Sequence, residues 1–90
     1  MTRQELIRFL DREAEQALVT VFPRLLKEIE TKLAPRLGVY ISVPMGAMLS
    51  NYKDPNLQTV IINKLVKKLE ELGYTAHGKT EEGEATIVVG

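Results

Sequence analysis

The stretch DPNLQTVIINKLVKKLEELGYTAHGKTEEGEATIVV, residues 54–89, decides the fold. It reads as a capped amphipathic helix, a glycine exit and a hairpin. Asp54 suits an N-cap, where its carboxylate can accept a free backbone N–H of the first turn. Pro55 suits the first helical position, where no hydrogen bond is lost and φ is already set. Leu57, Ile61, Leu65, Leu69 and Leu72, with Ile62 and Val66 beside them, fill one broad arc at about 100° per residue. Asn63, Lys64, Lys67, Glu70 and Glu71 fall opposite, and Lys67 and Glu71 are spaced for an i,i+4 pair. Val60 is the one apolar residue outside the arc. So wide an arc predicts burial against a sheet on one flank and a helix on the other. Gly73 predicts a left-handed helix exit. Residues 74–79 and 85–89 read as strands, with the polar, glycine-containing stretch 80–84 as the turn between them. Ile87, Val88 and Val89 form an unbroken β-branched run and predict the most buried strand.

Upstream, Thr2 and Glu5 have the spacing of a capping box. The helix that follows carries Leu6, Leu10, Ala14, Ala17 and Val21 on one face, with Leu18 and Phe22 at its edge. Arg3, Glu5, Arg8, Asp11, Arg12 and Glu15 are expected in solvent. Pro23 either separates two helices or kinks one long helix. The second half keeps its own stripe of Leu25 or Leu26, Ile29 and Leu33, which favours one kinked helix. Residues 34–38, with Pro35 and Gly38, end it in either case. Residues 39–43 read as a short strand closed by Pro44.

The resulting expectation is an α+β fold of order α-(α)-β-α-β-β. Its three-stranded antiparallel sheet has the order 1-3-2 and is packed on one face by two or three helices, the connection from the first strand to the second being right-handed. Tyr40, Tyr74 or Thr75, His77, Thr86 and Val88 fall on one sheet face or the other according to register. An uncovered face or edge would serve a partner or a second copy.

Composition bounds the function. The 90 residues make one domain with a modest core, burying about 60–65% of the unfolded surface. No cysteine is present, which removes disulfides and thiolate metal sites. The single histidine, His77, cannot build a metal site alone, so it is expected to be structural or exposed. Twelve basic and twelve acidic residues cancel, so no polyanionic partner is favoured overall. No apolar run approaches a membrane span, and the N-terminus carries no signal segment, so a cytoplasmic protein is expected. Neither phosphate-binding glycine motif occurs, and Ser42 and Ser50 lack a nucleophile-elbow context. Glu81, Glu82 and Glu84 lack the ligand spacing of a calcium loop. No catalytic, cofactor or metal residue is nominated, and the chain is expected not to be an enzyme.

Residues 45–53 are the hardest to read. Met45, Met48 and Tyr52 would suit an adaptable protein-contact surface, and a contact role predicts that serine at Met48 and Tyr52 weakens binding without lowering the melting temperature. The other reading has Met45, Met48 and Leu49 closing the end of the core.

Residues 65–74, LVKKLEELGY, followed by a hairpin, resemble the third helix and wing of winged-helix domains. That resemblance implies DNA binding, with Lys53, Lys64, Lys67, Lys68 and Lys79 on phosphate. The glutamates at the wing tip and the few base-reading side chains, Asn56, Gln58 and Asn63, weigh against it. A helical N-terminus, a strand, L-x-x-L-G-Y and a terminal hairpin also resemble small accessory proteins of tailed bacteriophages. That likeness implies a protein-binding role, in host-factor modulation or a minor part in assembly, in the host cytoplasm. The long first helix adds a homodimer as a further expectation.

Overall fold

The computed structural model describes residues 1–33, 40–81 and 84–90. Its elements run α1 (Arg3–Leu33), β1 (Ile41–Pro44), α2 (Pro55–Glu71), β2 (Ala76–Glu81) and β3 (Glu84–Val89). The strands form one antiparallel sheet of order β1-β3-β2, with β3 central. Both helices pack on the same face, and the α+β architecture is the one expected from the sequence. The expected helix stop at residues 34–38, the first residue of the expected strand (Val39), and the Glu82–Gly83 part of the turn lie outside the described residues, as does the side chain of Leu33.

α1 is one continuous helix through Pro23. Pro23 removes the hydrogen bond to the Val19 carbonyl and crowds it. Both residues are exposed, Val19 at 78%, so water can serve that carbonyl and the helix tolerates the ring. At the N-terminus the Thr2 half of the expected box forms, while the Glu5 carboxylate takes the Thr2 hydroxyl in place of the Thr2 backbone N–H. Thr2 Oγ1 accepts the Glu5 N–H at 3.1 Å and donates to Glu5 Oε1 at 3.2 Å. At about 1.5 Å per residue, 31 residues span about 46 Å, which matches the 47 Å long dimension of the molecule.

α2 begins as its sequence requires: Asp54 is extended (φ −74°, ψ 117°) and its Oδ1 accepts the Asn56 N–H at 2.9 Å. It ends in a Schellman arrangement. Gly73, at φ +95°, donates to the Glu70 carbonyl, and Tyr74 donates to the Leu69 carbonyl, both at 3.0 Å. Ile61, Leu65 and Leu69 are fully buried between α1 and the sheet. Two residues depart from the expected arc. Val60 packs against the core because α1 covers that flank, and Leu72, the C-cap, is 57% exposed because the helix has already cleared the sheet. Lys67 and Glu71 make no ion pair among the described residues.

In the sheet, Ile41 and Val43 of β1, Ala76 of β2 and Ile87 and Val89 of β3 face the helices and join the core. The strands of the hairpin run one or two residues into the expected turn, since Glu81 pairs with Glu84, and β2 begins at Ala76 and not at residue 74. Backbone pairing does not require apolar side chains, so the polar tip extends the ladder. Pro44 is tolerated in β1 because its missing N–H faces outward. The Met45 N–H donates to the Ala85 carbonyl, so the odd-numbered residues of β1 bond to β3 and Pro44 points to the edge.

Candidate protein-contact surface

The segment after β1 is a series of turns, residues 46–51, held at both ends. Leu49 N–H donates to the Met45 carbonyl, and the Gly46 N–H donates to Glu84 Oε1 at 3.1 Å. A Cβ at Gly46 would stand 2.3 Å from the same carboxylate oxygen, so a side chain there would push the Glu84 carboxylate aside. At the far end the Gln58 amide donates to the Tyr52 carbonyl. The turn folds inward. Met45 is fully buried, Met48 and Leu49 nearly so, and Tyr52 is half-buried against the core. The expectation that Met45 and Met48 form a contact surface is therefore corrected. Their thioethers close the end of the core, and only Tyr52 keeps an outward part.

The face of the sheet that neither described helix covers lies across from the core. Pairing of Ser42 with Val88 and of Val88 with His77 sets one row, and Pro44, Thr86 and Lys79 set the next. Thr75 and Gly90 exchange both backbone hydrogen bonds (3.0 and 2.8 Å), which extends the row pattern to the C-terminus. Side chains alternate between faces, so Tyr40, Ser42, Thr75, His77, Thr86 and Val88 share the face away from the helices. Tyr74, by contrast, packs against the core. Thr86 and Val88 are buried although neither described helix covers that face. The Tyr40 ring is 58% exposed and lies over Gly90, where a Cβ would stand 2.6 Å from the ring. His77 is exposed beside Val88.

The two sheet edges differ. β1 is short and ends in Pro44, which blunts it. On β2 the odd-numbered residues bond to β3, so the backbone groups of Ala76, Gly78 and Thr80 face outward. Beside that edge an open cleft of about 370 Å³ separates α2 from the hairpin, lined by Gln58, Thr59, Ile62, Asn63, Gly78 and Thr80 among others. Gly78 lets α2 approach closely, since a Cβ there would meet Ile62 at 2.8 Å. Among the described residues no group of three histidine or carboxylate side chains is placed to hold a metal ion.

The five lysines nominated for phosphate contact are not brought together as one free basic face. Lys64 reaches α1, with Nζ 2.7 Å from Asp11 Oδ1 and 2.8 Å from Glu15 Oε1. Hydrogen bonds to Asp11 and then to Glu15 raise its pKa above the ordinary 10.5. Lys68 sits over the Phe22 ring at 5.7 Å. Lys53 and Lys67 are exposed, and Lys79 stands on the hairpin at the cleft. Lys64, Lys67 and Lys68 share a groove with Glu15 and Glu71, so its field is mixed in sign. Sequence reasoning placed Lys64 in solvent and missed its partners, which lie on another helix 49 residues away in the case of Glu15.

No family model, curated protein or solved structure matches the chain. No helix among the described residues is long and apolar enough to cross a membrane.

Proposed function

We propose that this chain is a small accessory protein that acts by binding another protein and not by catalysis, in the manner of the phage-encoded proteins it resembles, in the cytoplasm of the host. The observation that carries this reading is the sheet face that neither described helix covers, where Ser42 and His77 are exposed on either side of the buried Val88 and the exposed Tyr40 lies just before β1. Aromatic side chains with a polar handle supply contact area and direction together, as interface centres require. The test is a photoreactive side chain placed at Ser42, on this face, and at Glu70, on the exposed side of α2. A host protein crosslinked from position 42 only, and lost in Tyr40→Asp/His77→Asp with unchanged melting, is the expected result. Equal crosslinking from both positions contradicts the assignment.

A winged-helix DNA-binding role is the second reading, favoured by the β1-β3-β2 order and by α2 running into the hairpin. The anchoring of Lys64 by two carboxylates and the turns at residues 46–51, in place of a second helix, weigh against it. Duplex DNA titrated across a salt series separates the two readings. Affinity that falls steeply with salt supports DNA binding, and no binding at low salt removes it.

A further inference from the structure

We propose that residues 3–13 of α1 pair antiparallel with the same segment of a second copy of this chain. This contact is separate from the sheet face and does not depend on the reading above. Leu6, Ile7 and Phe9 are 46%, 54% and 48% exposed. Leu10 is half-buried, yet neither it nor the other three belongs to the core or packs against it. The first core residue of α1 is Ala14. The helix therefore carries apolar side chains at Leu6, Ile7 and Phe9 that its own core leaves exposed, just ahead of Asp11, which Lys64 of α2 reaches.

The spacing of that segment selects the occupant. Arg3, Leu6, Leu10, Glu13 and Ala17 follow one another at alternating steps of three and four, the seam of a coiled coil. Ala17 is covered by the chain's own body, and the remaining seam has a cation at one end, an anion at the other and two leucines between. Among the described residues neither Arg3 nor Glu13 has an ion-pair partner. About a two-fold axis beside Arg8, an antiparallel copy sets Leu6 against Leu10 and Arg3 against Glu13, twice each. Ile7 and Phe9 flank the seam on its two sides. A parallel copy would instead oppose Arg3 to Arg3 and Glu13 to Glu13. The antiparallel register also places Ala14 of one copy level with Thr2 of the other, so the two folded bodies lie toward opposite ends of the paired segment. The contact is much smaller than the 20–30 residues a side of a standard interface. It is therefore weak and reversible on dilution.

Sedimentation equilibrium of the full chain, from micromolar to millimolar concentration, tests this. A reversible monomer–dimer equilibrium is expected. Leu6→Glu should weaken it by more than about tenfold, by burying a charge in the seam twice over. Arg3→Glu and Glu13→Arg should each weaken it by about five- to tenfold, and the double variant Arg3→Glu/Glu13→Arg should recover the wild-type constant. Thermal melting in dilute solution should be the same for all, because none of these residues is in the core, and Tyr40→Asp should leave the dimer intact. A monomer at every concentration overturns the proposal. So does a dimer indifferent to Leu6→Glu, or one weakened by the single charge reversals and not restored by the double.

Discussion

The two ends of α1 continue one apolar stripe under different conditions. Between Ala14 and Ile29 the inward positions Ala14, Ala17, Val21, Leu25 and Ile29 are at most 2% exposed, packed by α2 and the sheet. Leu6, earlier on the same stripe, is 46% exposed, and Ile7 beside it 54%. Side-chain chemistry and period barely change along the helix. What changes is whether anything lies opposite. An amphipathic period states which way a helix faces, while the reach of its neighbours decides how much of that face is covered.

The contrast can be broken most forcefully at its covered end. Leu25→Ala should cost about 2–5 kcal/mol in urea unfolding, because it removes a fully buried side chain from a packed site. Leu6→Ala should stay within about 0.5 kcal/mol in dilute solution. Similar losses at both positions would mean that the N-terminal segment is packed after all.

The turn at residues 46–51 sharpens the same point on a segment without regular structure. Met48→Ser/Tyr52→Ser should lower the stability by about 2–4 kcal/mol, since a buried thioether gives way to a hydroxyl and a half-buried ring is lost from the core edge. Unchanged melting would return this turn to the surface role first expected of it.

The smallest effect lies at the junction of the two regions, where Lys64 ties α2 to Asp11 and Glu15. The two carboxylate side chains are 60% and 55% exposed, so solvent screens the pairs, and Lys64→Met should cost no more than about 1 kcal/mol. The folded-state pKa of Lys64 is raised, so its stabilisation is fully present below the ordinary 10.5 and is lost as pH rises through the raised value. The difference between wild type and Lys64→Met should hold constant across neutral pH and shrink only in strongly alkaline solution. A difference that already vanishes at neutral pH would show that the ion pairs do not form.

Much of the fold was legible because its signals are local. Asp54, Pro55 and Gly73 act on their own turns, and the β-branched run in β3 reports burial whatever its neighbours are. The strand order followed from one antiparallel solution that puts that run in the centre. The candidate surface was less legible. Met48 has the same side chain in a contact loop as in a core plug, and only the Gly46–Glu84 hydrogen bond and the inward turn decide between them. Lys64 looked solvent-facing because its carboxylate partners belong to another helix. The extent of the uncovered α1 face was illegible for the same reason: no residue between Leu6 and Ala14 records where α2 and the sheet end.

Residue-resolved amide hydrogen exchange along α1, at micromolar concentration where the chain is monomeric, tests the contrast most directly. Amides of residues 6–10 should exchange through local opening, far faster than those of residues 21–29, which should approach the protection set by global unfolding. Equal, near-global protection along the whole helix in the monomer would contradict the account, because residues 6–10 would then have a partner within their own chain.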